Sequence, residues 1–239
     1  MLVLAQSRRI ERIDTGIRGL DHGLIGGIPR RSVILLVGPP GAGKSILAKQ
    51  FLYQGLITHQ TSVIISTNES EENVGRTMGE FGWKNDKLIF GDCYSWKFGE
   101  ASSKYSASLE NPTELGIMLS SMIEREGMNN NRVSRLVLDS FSDVVMKLGE
   151  ERSINLLSQL KPRMSENGIT AFVTLEEELH PKELNSKVEY LCDGTIMMRH
   201  TEKGRELMVS RMVQTPAERR WHPYSIRQGI EMKLSNFFR

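Results

Sequence analysis

Apolar runs without alternation recur along the chain, and stretches of helical spacing follow them. The first run is SVILLVG, residues 32–38. A strand covered on both faces reads this way, because neither face needs polar positions. After GPPGAGKS the residues Ile46, Leu47, Phe51, Leu52 and Leu56 form an incomplete stripe that predicts a helix through SILAKQFLYQGL. SVIIST (62–67) predicts a second strand, 71–82 a helix, and LIF (88–90) a third strand. A helix opens at Asn111-Pro112-Thr113 and reaches about Glu126, with Asn111 or Thr113 as its cap and the proline in its first turn. RLVLDS (135–140) and GITAFVTLE (168–176) are further buried-strand patterns, separated by a helix of about 150–167. GTIMMRH and RELMVSRMV, split by Thr201-Glu202-Lys203-Gly204, predict a β-hairpin. Residues 10–31, rich in glycine and with Pro29, predict loops and short turns. Residues 91–111 have no clean period and predict a flexible surface segment.

This rhythm of strand and helix, ending in a hairpin, predicts an α/β fold with a mostly parallel sheet and an antiparallel edge. No internal repeat is evident, so the 239 residues read as one domain. A chain of this length can bury about 70% of its extended surface, enough for one core without disulfides or metals. Hydrophobic residues at 39% and charged residues at 25% exclude a disordered tail, a collagen-like fibre and a membrane bundle. No stretch approaches the roughly 20 apolar residues of a membrane span. The start, MLVLAQSRRIER, makes a poor signal peptide because its basic residues follow the short apolar run. Cys93 and Cys192 are too few for a disulfide framework, and the cytoplasm is the expected compartment.

The net charge of +2 hides an uneven distribution. Residues 1–31 hold six bases against three acids and residues 202–239 eight against four, which leaves an acidic middle. Basic ends suit either polyanion binding or contacts with the acidic body of a neighbouring subunit, and both readings stand. No zinc-ligand series or aromatic-basic ladder accompanies them.

Gly38-Pro39-Pro40-Gly41-Ala42-Gly43-Lys44-Ser45 matches the phosphate-binding pattern G-x-x-x-x-G-K-[ST], between a buried strand and a helix. Its glycines let backbone N–H groups turn inward around phosphate oxygens, and the helix start adds unpaired donors and a positive dipole end. In that pattern Lys44 reaches the β and γ phosphates and the Ser45 hydroxyl is a magnesium ligand. Asp139 ends the RLVLD run, where a strand-terminal carboxylate can hold magnesium, and Asp143 is the alternative. Glu69, just past VIIST, is placed to orient or activate a water at the γ-phosphate, or else it belongs to the start of the next helix with Glu71 and Glu72. Thr174, late in FVTLE, is a candidate γ-phosphate sensor or simply a strand residue. The five histidines share no metal-ligand spacing. A guanine-reading N-K-x-D motif is missing from the sequence, which speaks against a GTPase. A small-molecule kinase would need an acceptor pocket and a lid, for which 91–111 is the available segment.

TGIRGLDHGLIGGIPRRSVILLVGPPGAGKS, VIISTNES, RLVLDS and the late LMVSRMVQTPAERRWHPYSI resemble the KaiC-like branch of the RecA/RadA superfamily over about residues 11–233. The resemblance implies a three-layer RecA-like P-loop fold, ATP and Mg²⁺ as ligands, and a homo-oligomer, often a hexameric ring, with nucleotide at subunit interfaces. Relatives similar to RadA act on DNA, whereas KaiC is a clock phosphotransferase and ATPase, so a DNA or a protein partner is compatible with the resemblance. Two departures stand out. The glutamate pair usual after the second strand reads Asn68-Glu69, and the usual Lys-x-Arg offered to a neighbour's γ-phosphate reads Arg211-Met212-Val213. Arg211 retains the charge at the lysine position, while Val213 removes the arginine. The sequence therefore predicts Mg²⁺-dependent ATP binding with slow hydrolysis. The alternatives are a non-hydrolysing, ATP-controlled assembly module and a DNA-stimulated recombination or repair ATPase or regulator.

Overall fold

The computed structural model describes residues 10–98, 103–128 and 132–233. A two-stranded ribbon, β1 (Arg12–Ile13) against β2 (Ile28–Pro29), encloses the short helix α1 (Arg18–Gly23). Most of the rest is a ten-stranded sheet with helices on both faces. Its strands are β3 (Val33–Gly38), β4 (Thr61–Ser66), β5 (Ile89–Asp92), β6 (Tyr105–Ser106), β7 (Val133–Asp139), β8 (Thr170–Glu176), β9 (Gly194–Thr201), β10 (Gly204–Met212), β11 (His222–Ile226) and β12 (Ile230–Glu231). The helices are α2 (Lys44–Ile57), α3 (Glu71–Glu80), α4 (Pro112–Met128), α5 (Phe141–Leu148), α6 (Glu150–Glu166) and α7 (Lys182–Leu191).

Across the sheet the order is β12-β11-β10-β9-β3-β8-β7-β4-β5-β6. Pairings from β9 through β3 to β6 are parallel, and β9 to β12 form an antiparallel meander. Alternate residues of one strand feed opposite layers, which explains the unbroken apolar runs. Ile34 and Leu36 pack with Leu47 and Phe51 of α2, and the Phe51 and Phe172 rings lie 4.5 Å apart. Val33, Leu35 and Val37 face the opposite layer, with Val144, Leu157, Leu160 and Val188 of α5 to α7.

Polar side chains tie the two chain ends to this core. Arg135, fully buried, donates to the Asp14 carboxylate and carbonyl, to Phe51 O and to Gln60 Oε1, so its charge is compensated where water cannot reach. Gln50 donates to Gly16 O and accepts from Ile230 N, joining both termini to α2. Asp21 Oδ1 accepts from the Thr15 amide (2.7 Å) and hydroxyl (2.8 Å), yet burial pushes its carboxyl up to about 6. A folded-state pKa raised above the unfolded one adds stability at pH below about 4 that is lost as pH rises through 6. Chemical denaturation of Asp21→Asn should therefore show wild type gaining on the variant by about 2 kcal/mol between pH 7 and pH 4.

The sequence pattern is corrected in five places, the first being residues 10–31, expected as loops and short turns, which form the β1–β2 ribbon and α1. Residues 91–111 are not simply a surface segment: Cys93, Tyr105, Ala107 and Leu109 are buried and β6 extends the parallel sheet, while 99–102 lie outside the described residues. Asn111 caps α4 by accepting from Thr113 N, so Thr113 is not the cap. Helices α5 and α7 were not predicted, because α5 is eight residues on the heels of a strand and α7 buries only Leu184 and Val188. Strands β11 and β12 were also missed, since Pro223 interrupts the strand signal and β12 has two residues. Among the described residues no helix is long and apolar enough to cross a membrane.

Candidate functional site

The site grows from the end of β3. At Gly38 a Cβ would stand 2.2 Å from Met198 O on β9, so only glycine lets the strand run past that carbonyl into the loop. At Gly43 the chain takes φ +92° to enter α2, a turn that any side chain would strain. Tyr224 Oη of β11 donates to Ala42 O and pins the loop from the meander side. His200 stands beside the loop as well, its Nε2 3.5 Å from where a Cβ on Gly41 would be.

Lys44, 5% exposed, folds its ammonium back to the loop. It donates to Gly38 O (2.9 Å), Pro39 O (2.8 Å) and the carboxylate of Glu176 (2.9 Å). Glu176 ends β8 directly opposite Gly38. Asp139 ends β7, is 2% exposed, and accepts a 2.6 Å hydrogen bond from the Thr174 hydroxyl. Ser66, opposite Asp139, ends β4. The carboxyl ends of β3, β8, β7 and β4 thus form one continuous rim that gathers Lys44, Glu176, Asp139 and the β4 turn. Ligands of open α/β sheets bind along such a rim.

The rim is tightly cross-linked. Thr67 N donates to Asp139 O and Thr67 Oγ1 accepts from Ser140 N, while the same hydroxyl lies 2.9 Å from Asp143 Oδ2. Asp143 therefore braces β4 against α5, and Asp139 is the carboxylate at the strand end. Ser142 Oγ accepts from Glu176 N and meets His180 Nε2 at 2.9 Å. Burial lowers the His180 pKa from its ordinary value, opposed by the nearby Glu176 charge. Ser45 begins α2 half-buried.

Glu69 lies just past β4, and its carboxylate pairs with Lys49 of α2 at 2.8 Å. Ser70, not Glu69, caps α3 by accepting from Asn73 N. Thr174 lies late in β8, two residues before the strand end, is 1% exposed and gives its hydroxyl to Asp139. Arg211 stands apart from its own loop. It pairs with Thr195, towards the far end of β9, and its guanidinium donates to Glu189 O (2.7 Å) and Cys192 O at the close of α7. Its side chain is exposed, so a cation is available on that face but not to its own chain's cradle.

Comparison with known proteins agrees with this geometry. A family model described as the KaiC ATPase matches residues 13–234. The chain belongs to the KaiC ATPase family. A UPF0273 protein of Thermotoga maritima is 30% identical over 91% of this chain and 93% of its own, and one of Aeropyrum pernix is 29% identical over 91% of each. The crystal structure of a KaiC-like protein from Pyrococcus horikoshii covers 94% of this chain and all of its own, at 26% identity and a TM-score of 0.74. The KaiC-type, RecA-like three-layer fold is thereby established.

In this KaiC-family chain two rim residues escaped the sequence reading, Glu176 and Lys49. Glu176 was hidden in the acidic run 176–178, although its position last in an apolar strand, like that of Asp139, was a usable signal. Lys49 carries no sequence signal, because its partner is twenty positions away. Burial pushes both thiols, Cys93 and Cys192, up to about 12, so neither serves as a nucleophile.

Proposed function

We propose that this KaiC-family protein binds Mg²⁺–ATP in the loop 38–45, hydrolyses it slowly, and works as a homo-oligomer. The observation that carries the reading is Lys44: a buried ammonium held at the mouth of a glycine loop, beside the strand-end carboxylates Asp139 and Glu176. A triphosphate offers that ammonium more negative charge than two carbonyls and one carboxylate do. The donor set also fits magnesium. Among the described residues no group of three or more His, Cys, Asp or Glu gathers to form a protein cage. The hard oxygens of Ser45 and Asp139 suit an ion that otherwise binds phosphate oxygens and water. When bound, Mg²⁺ neutralises charge on the β and γ oxygens.

The chain's own residues supply the remainder. Backbone N–H groups of residues 41–45, with the start of α2, grip the phosphates. Lys44 leaves Glu176 and counters the charge that builds on the transferred phosphoryl group. Glu69 places the attacking water, and Thr174 acts one step removed by fixing the Asp139 carboxylate rather than sensing phosphate itself. Glu176, freed of Lys44, faces the γ end as a like charge and weakens binding. Arg211, exposed and away from its own cradle, can reach phosphate only across a subunit boundary. One water-placing carboxylate and a valine at 213 favour slow turnover, since a cation given in trans is worth about 10³–10⁵ in rate in related systems.

Thermal unfolding during a Mg²⁺–ATP titration tests the binding half. A hundredfold excess over Kd should add about 2.7 kcal/mol and raise Tm by roughly 5–10 °C. Glu176→Gln should enlarge that rise and tighten Kd about three- to tenfold, because Lys44 no longer has to leave a counter-charge. A weaker ATP response in the variant would contradict this role. Stabilisation by ATP with no phosphate release over hours would indicate the non-hydrolysing assembly module instead.

A further inference from the structure

Nothing in the phosphate-binding motif calls for Lys49. It lies four residues after Ser45, on the same face of α2, and its side chain is 2% exposed. An ammonium this far from water is costly unless a counter-charge meets it. Among the described residues its one partner is Glu69, with Nζ to Oε1 at 2.8 Å. The carboxylate itself is 27% exposed, so it spans from the buried cation to the open rim. The Glu69 backbone is also anchored: its amide donates to Ser66 Oγ (3.1 Å), and Ser66 Oγ donates to its carbonyl (2.7 Å). Ser66 is the last residue of β4, level with Asp139. Glu69 is therefore fixed at three points, two on the strand end and one on the helix that grips the phosphates.

We propose that Lys49 is the positioning residue of this active site, holding one oxygen of Glu69 so that the other faces the water at the γ-phosphate. The inference rests on the reading of Glu69 as the water-placing group and extends it. A carboxylate on a two-carbon stem rotates freely once its partner is removed, and water placement then becomes a matter of chance. Lys49 makes no contact with phosphate, so its effect falls on turnover and leaves nucleotide affinity alone. Methionine is nearly as long as the aliphatic stem and suits an apolar surround, and the partly exposed Glu69 finds water when its partner goes. Loss of the charge is thus separable from loss of the fold.

The test is single-turnover ATP hydrolysis and Mg²⁺–ATP affinity for wild type, Lys49→Met, Glu69→Gln and the double variant. Lys49→Met should slow hydrolysis tenfold or more, on the scale of about 10² for a misplacement near 1 Å. Its Kd for Mg²⁺–ATP should stay within about twofold of wild type. In the Glu69→Gln background the same change should cost nothing further, because there is no carboxylate left to hold. An equal fractional loss in both backgrounds would reveal a merely structural lysine and overturn the proposal, as would an unchanged or faster Lys49→Met. Should Lys49→Met fail to fold, Lys49→Arg keeps the charge and must retain most of the rate; a loss beyond tenfold there would also overturn it. A Glu69→Gln variant as fast as wild type would instead remove the reading of Glu69, with the nucleotide site left standing.

Discussion

Lys44→Ala should weaken Mg²⁺–ATP binding by about 10²–10³ in a calorimetric titration, the largest change expected of any single substitution here. The size follows from what the side chain does. Its ammonium is almost fully buried and directs three hydrogen bonds into the loop mouth. In a dry site a charge-assisted contact is worth considerably more than at the surface. Removing it also leaves Glu176 at the rim without its cation, so the phosphates meet a carboxylate where they met an ammonium. The fold should survive, since the hydrogen bonds of Lys44 run to the loop mouth and Glu176 and not across the core, and a cooperative thermal transition would verify that. Affinity within threefold of wild type in a folded Lys44→Ala protein would contradict the site.

Glu69→Gln should act in the opposite sense, on rate and not on affinity. General-base or water-orienting groups contribute about 10²–10⁴ to turnover, and glutamine keeps the shape while losing the charge. Phosphate release should therefore fall by about 10² or more while Kd for Mg²⁺–ATP changes less than threefold. A pattern of this kind marks an interaction made chiefly in the transition state. Asn68, the residue before Glu69, is an amide, so it cannot take over the role. Weakened binding with unchanged turnover would assign Glu69 to the fold of the β4 turn instead.

The parts of this molecule that were legible in its sequence are those encoded by near neighbours. β3, β4, β7 and β8 are buried on both faces, so their apolar runs are unbroken and easily read. The loop 38–45 carries its own chemistry in eight consecutive residues. The strand-end position of Asp139 followed from the run before it, and the β9–β10 hairpin from two strands around a polar turn. What could not be read depended on distant partners. Thr174 had the signature of a strand residue, and only the register of β7 against β8 brings its hydroxyl to Asp139. Lys49 sits in the helix pattern as an interruption of the apolar stripe, and its burial makes sense only once β4 delivers Glu69. Tyr105, Ala107 and Leu109 do alternate with Ser106 and Ser108, but five residues inside an otherwise polar stretch are too short a strand signal to stand out. The hold of Arg211 on the end of α7 joins residues nineteen and twenty-two positions apart, next to a register shift between Val209 and Arg211 that no local pattern announces.

Glu176 gives the rim two alternative charge arrangements. Without nucleotide, Lys44 is neutralised within the chain and no buried cation is left exposed to its own desolvation cost. In the proposed nucleotide-bound state the same ammonium passes to the phosphates, and Glu176 is left at the rim as a like charge.

The central claim is that the loop at 38–45 grips a triphosphate with Lys44 at its far end. A crystal structure of the protein with Mg²⁺ and a non-hydrolysable ATP analogue tests it most directly. Phosphate oxygens should lie within hydrogen-bond distance of the N–H groups of residues 41–45, with Lys44 Nζ moved from Glu176 to the β and γ phosphates and Ser45 and Asp139 beside the metal. Analogue density elsewhere, with Lys44 still paired to Glu176, would contradict it.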